Sequence, residues 1–151
     1  MPVDIVTIVL WLLILDLGVA FGAGVYEARI VVPLWGSAPP ESLHSPDSGR
    51  RFWVFATTVP LTLLTIASAL CLLTPMDEPR RFWWMIATAL VVLERIATFA
   101  YFIPTIIRLQ RADGIAWTDV RRKFALWRMV NYGRLILMLA AWAAATAALT
   151  A

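Results

Sequence analysis

The chain has 151 residues, 61% of them hydrophobic, and a mean hydropathy of +0.77. A soluble domain of this size cannot bury that much apolar surface, so a soluble globular fold is excluded. The net charge of +3 and pI near 9.6 would suit a nucleic-acid partner, but the basic residues gather beside the loops between apolar runs, so no such partner is expected.

Four stretches, roughly residues 4–32, 52–74, 82–108 and 124–150, are long enough to cross about 30 Å of hydrocarbon. None shows strand alternation, and only helices or closed barrels satisfy their backbone in lipid. The expected fold class is therefore all-α, a four-transmembrane-helix bundle occupying residues 1–151 as one domain. The first run lacks a basic start and carries Asp4 and Asp16, which reads as a retained helix rather than a signal peptide.

The first loop, "PLWGSAPPESLHSPDSG", is long enough to fold over the mouth of a bundle. The second, "TPMDEPRR", reads as a tight turn. The third turns at Asp113-Gly114, with Thr118 or Asp119 placed to cap the fourth helix. Arg29, Arg50 and Arg51 flank loop one, and Arg108, Arg111, Arg121, Arg122 and Lys123 flank loop three, but only Arg80 and Arg81 flank loop two. This bias puts loops one and three in the cytoplasm and both termini on the non-cytoplasmic side. The expected location is the cell membrane, multi-pass, in a bacterial inner membrane. Trp35, Trp53, Trp117 and Trp127 are expected as an interfacial belt at one face, with Trp83 and Trp84 at the other. Pro60 and Pro104 are placed to kink the second and third helices, Cys71 reads as a small core residue, and no internal repeat is evident.

Charges within the spans point to function. Asp16 and Glu27 lie in the first helix, Glu94 and Arg95 in the third, and Arg128 and Arg134 in the fourth. A charge at the centre of a span costs about 2.5–3.5 kcal/mol on insertion scales, so pairing within the bundle is expected, with Arg134 facing Asp16 or Glu94. Helical spacing groups Asp16, Ala20, Ala23 and Glu27 on one stripe; Glu94, Thr98, Tyr101 and Thr105 on a second; and Trp127, Asn131 and Arg134 on a third. The reading is a polar pocket between helices one, three and four, open toward the cytoplasm. Gly18, Gly22 and Gly24 would allow close approach to the first helix. Adjacent residues do not face each other on a helix, so Glu94 is expected to face the pocket and Arg95 to find a different partner toward the flank.

His44 is the only histidine, and it lies in the first loop. That argues against a haem held by intramembrane histidines and against a ferritin-like di-iron site, and no metal ligand set or phosphate loop is seen. What remains is carboxylate, guanidinium, phenol and indole, which suit proton abstraction and anion stabilisation around an aromatic or amphipathic ligand.

At "GVYEARIVVPLW", "ERIATFAYFIPTIIRL" and "WRMVNYGRLILMLAAW" the chain resembles the anthrone-oxygenase-like family of small four-helix membrane proteins. In that family a late tryptophan is often followed four residues on by His or Asn and then by an arginine, as in Trp127, Asn131 and Arg134. The resemblance implies oxidation of an anthrone to an anthraquinone by dioxygen, without metal or flavin, so no cofactor is expected. Glu27 or Glu94 would be the base, Arg134 or Arg128 would stabilise the enolate, and Asp16, Tyr101, Trp127, Arg128 and Asn131 would complete the ligand site. The alternative is a non-catalytic lipid- or quinone-binding protein, or the small subunit of a membrane complex. The expected partners are the bilayer and a small aromatic or amphipathic ligand, with a homo-oligomer or a partner membrane protein left open.

Overall fold

The computed structural model describes residues 4–37, 42, 49–111 and 117–151. Four helices are long and apolar enough to cross a membrane: α1 (Ile5–Trp35), α2 (Trp53–Cys71, entered through the short turn Arg50–Phe52), α3 (Glu78–Gln110) and α4 (Trp117–Thr150). All of the regular structure among the described residues is helical, and four crossings put both termini on one side of the bilayer. His44, most of the first loop and the Asp113-Gly114 turn lie outside the described residues.

Several boundaries differ from the sequence expectation: α2 stops at Cys71 rather than near 74, and α3 starts at Glu78 rather than near 82. Hydropathy ends the first and third helices early and starts the fourth late, because charged residues lower the average at their ends. Backbone hydrogen bonding carries α1 to Trp35 and α3 to Gln110, and α4 already starts at Trp117, so Thr118 and Asp119 sit inside it. At the other end of the bundle Asp4 caps α1 by accepting from the Thr7 N–H at 2.6 Å. That bond holds its carboxyl below the usual carboxylate range.

The buried face of α1 follows a 3-4 rhythm: Leu10, Leu13, Leu17, Ala20, Gly24 and Glu27. It packs on α4, whose Ala141, Ala144, Ala145 and Ala148 are small enough to let the backbones close in beside Met138. A Cβ on Gly24 would stand 2.5 Å from Leu135 Cδ2 and one on Gly18 would stand 3.3 Å from Trp142, whereas Gly22 meets nothing within 4 Å. Two of the three glycines expected to permit close approach therefore do so, both against α4.

After Glu27 the rhythm slips by one residue, and Ala28, Val32 and Trp35 carry it on. The cause is a π-helical segment, Glu27–Val31, and two more occur at Trp53–Thr58 in α2 and Thr98–Phe102 in α3. Each ends two residues before a proline: Pro33, Pro60 and Pro104. A proline donates no N–H, and its ring crowds the carbonyl four residues back. The helix answers by widening: Val32, Val59 and Ile103, the residues just before the prolines, donate to the carbonyls five back, at Glu27, Val54 and Thr98. The repeated apolar-Pro step, "VP", "VP", "IP", thus marks a shared structural device in a chain with no internal repeat of longer period.

The tryptophans depart from the expected interfacial belts. Trp35, Trp84 and Trp127 are buried inside the bundle, and Trp83 alone of the pair at the other face is exposed. Trp84 is fixed by its indole N–H donating to Ser68 at 2.6 Å, and Trp127 by donating to the Phe102 carbonyl at 3.3 Å. An indole whose N–H is satisfied inside the protein has no need of the headgroup layer.

Candidate functional site

The three widened segments converge. Glu27 of α1, Trp53, Val54 and Thr58 of α2, Thr98 and Phe102 of α3, and Trp127 and Arg134 of α4 line one cavity of about 260 Å³. Its remaining walls are Trp35 and the last turns of α3, chiefly Ile103, Ile106 and Ile107. The expected pocket was placed between helices one, three and four; α2 is a fourth wall, brought in by its own π segment, which turns Trp53 inward. π turns recur at functional sites because they re-aim side chains without ending the helix.

Arg134 is the cation of this cavity. Its guanidinium carbon lies 4.9 Å from the Phe102 ring centre and 5.9 Å from that of Trp53, within cation–π range. Its Nε is buried without a hydrogen-bond partner among the described residues. Glu94 and Glu27 act on it through space while Arg95 opposes them, and no direct ion pair joins it to either acid among the described residues. Glu27 is buried and shares the cavity wall with the Trp53 indole. The cavity thus holds one acid and one base, each with aromatic neighbours, neither locked to the other. Phe102, Phe124, Trp35 and Trp127 form a connected aromatic set beside them, with Phe124 and Trp127 stacked at 6.3 Å and 9°.

The other candidate residues are dispersed. Glu94 is 1% exposed and lies behind the cavity wall: Thr98 donates to one carboxylate oxygen at 2.8 Å and Arg95 Nε to the other at 2.6 Å. The expectation that Glu94 and Arg95 are not each other's counter-ion is therefore overturned. Their Cβ atoms do point about 100° apart, but the arginine stem is long enough to fold back, and without water no better acceptor competes. Asp16 is half-buried near Arg95 rather than Arg134, with Oδ2 unpartnered among the described residues. It stands eleven residues from Glu27, roughly 16 Å along the helix at 1.5 Å per residue, and so lies outside the cavity.

Tyr101 and Arg128 leave the site. The π segment at Thr98–Phe102 turns everything after Thr98 by one residue, so Phe102 takes the inward place that straight helical spacing gave to Tyr101. Tyr101, Thr105 and Arg108 keep their common stripe but face a separate cleft against α4. Arg128 is exposed on the outer face of α4, which leaves Asp16, Glu27, Glu94, Arg95 and Arg134, of the six charges expected inside the bundle, at least half-buried. Trp127 lines the cavity as expected; Asn131, one turn on, is 1% exposed with Oδ1 unpartnered among the described residues, and does not line it. Trp53 and Phe102, which the sequence reading did not select, are both in the wall. Their signal was the proline that closes the widened turn, seven residues after Trp53 and two after Phe102.

Fold and charge arrangement define a multi-pass helical membrane protein with acid and base buried inside its bundle. No protein-family model matches the chain, and no curated protein or solved structure shows significant similarity to it.

Proposed function

We propose that the cavity between Glu27 and Arg134 binds a small aromatic or amphipathic molecule, with an acceptor oxygen of the ligand on the Arg134 guanidinium and its rings against Trp35, Phe102 and Trp127. The observation that carries this reading is the convergence of three π segments on a cavity whose one cation has a buried, unpartnered donor. An unpaired donor in a water-poor site is costly, and a ligand oxygen is the natural partner. The volume is slightly below the roughly 300–1,000 Å³ usual for ligand pockets, which fits a compact fused-ring molecule.

In its enzymatic form the proposal follows the resemblance: an anthrone reacts with one dioxygen to give an anthraquinone and one water. Glu27 is favoured over Glu94 as the base. It lines the cavity, whereas Glu94 is already committed to Arg95 and Thr98. Arg134 would hold the enolate oxygen as negative charge develops there.

Mass spectrometry of small molecules retained after purification in mild detergent tests the binding. Arg134→Gln is expected to lower retention roughly 10- to 100-fold, the loss for a hydrogen bond to a charged group. Glu27→Gln should retain ligand but, with anthrone supplied, slow oxygen uptake by about 10²–10⁴, the usual contribution of a general base. A retained ligand left unchanged by oxygen would instead make the protein a lipid- or quinone-binding protein or a subunit of a larger complex. Equal retention by wild type and Arg134→Gln would remove the cavity from the account.

A further inference from the structure

A second cleft lies on the outside of the bundle, between the end of α3 and the start of α4, and shares no lining residue with the cavity of Glu27 and Arg134. It measures about 260 Å³ and is lined by Tyr101, Thr105 and Arg108 from α3 and by Lys123 and Leu126 from α4, with Leu109 and Val120 at its base. Two cations from two helices face it and no acid does. Asp119, one turn before Lys123 and exposed, makes no ion pair with it among the described residues.

Its hydroxyls are available as well. Thr57, Thr62, Thr65 and Thr146 each return their hydroxyl to a carbonyl four residues back in their own helix. Among the described residues Thr105 makes no such bond, and the Tyr101 hydroxyl has no hydrogen-bond partner. The cleft therefore presents two positive charges and two hydroxyl donors and offers its occupant no competing carboxylate. That donor set fits a phosphate oxygen cluster.

The position selects the source of the phosphate. Arg108 and Lys123 stand near the α3 and α4 ends where charged residues resume, the depth of lipid headgroups. Directly below, Leu126 is 49% exposed and Met129 is 65% exposed, an apolar track along the outside of α4 on which an acyl chain can lie. A free phosphate would have no use for that track. We propose that this cleft binds the headgroup of an anionic phospholipid, held by Arg108 and Lys123 with Tyr101 and Thr105 as hydroxyl donors.

The test is native mass spectrometry of the whole protein after exchange into micelles containing equal amounts of phosphatidylglycerol and phosphatidylcholine. Wild type is expected to retain phosphatidylglycerol in preference, and Arg108→Gln/Lys123→Gln to reduce that retention by about tenfold or more, as expected for the loss of two interfacial basic contacts. The control, Arg121→Gln/Arg122→Gln, removes the same charge from exposed positions on α4 and should keep the preference. All four side chains are exposed, so neither double variant disturbs the core. Equal loss in both double variants, or no preference in wild type, would overturn the proposal. Inorganic phosphate that displaces the lipid and raises the melting temperature as much as phosphatidylglycerol does would overturn the lipid source in favour of a free phosphate.

Discussion

Arg95→Gln is expected to be among the most damaging single substitutions in the bundle, lowering stability by about 3–5 kcal/mol, the range for removing one partner of a buried ion pair. The reason is the state of Glu94 afterwards. It is 1% exposed, its nearest cation would be gone, and Thr98 alone would remain as a donor. Glu94→Gln should cost less, because an amide oxygen there can still accept from the Arg95 Nε and Asp16 acts on Arg95 through space. Replacing both, Glu94→Gln with Arg95→Met, should recover part of the loss, since the fully buried position 94 then carries no charge, while half-buried Asp16 still loses its nearby cation. Unfolding of the purified proteins in mixed micelles would measure the cycle. If Arg95→Gln proves no worse than Glu94→Gln, Asp16 rather than Glu94 is the acid that Arg95 serves.

Pro104→Ala is expected to damage the site while sparing or strengthening the helix. An alanine there restores an N–H that can reach the Ala100 carbonyl, so the π segment at Thr98–Phe102 can anneal into regular α-helix. Annealing removes one residue of slack and turns the remainder of α3 by about 100° relative to the part before it. Phe102 would swing off Arg134, which now lies 4.9 Å from its ring, and Trp127 would lose the carbonyl it bonds. Helix propensity alone favours the alanine by about 3 kcal/mol, and the packing of Leu109 on the aromatic cluster resists the rotation. Ligand retention should therefore fall at least about tenfold, the equivalent of one lost charge-assisted hydrogen bond, while the melting temperature holds or rises. Normal retention at an unchanged melting temperature would mean that packing, not the proline, sets the π turn.

Hydropathy made the four spans legible, because length in lipid is dictated by apolar run and little else. The inward place of Glu27, Thr98, Trp127 and Arg134 was legible as well, since each lies before its helix's π shift, at its start, or in a helix that has none. Tyr101 was misplaced for the converse reason: it follows the start of a shift, and a fixed 3.6-residue period carries it to the wrong side. The Glu94–Arg95 pair was misjudged because helical geometry fixes where Cβ points and leaves a long flexible arm free to choose. Composition points Trp35 and Trp84 to the interface, but tertiary contacts decide the matter: Ser68, sixteen residues away on another helix, holds Trp84, and the Trp127 ring, 6.2 Å away, meets Trp35.

α4 runs from Trp117 to Thr150 with neither a proline nor a π segment, whereas each of its three neighbours has a joint. In mechanical terms it is the mast and the others are hinged spars. A straight helix resists bending, and a widened turn before a proline is where a helix gives. Any change in the volume of the cavity must then come from Glu27, Trp53 and Phe102 travelling with their hinged segments, while Arg134 and Trp127 stay fixed on the mast. In such a change the cation would be the stationary point, and Glu27, Trp53 and Phe102 would move around it.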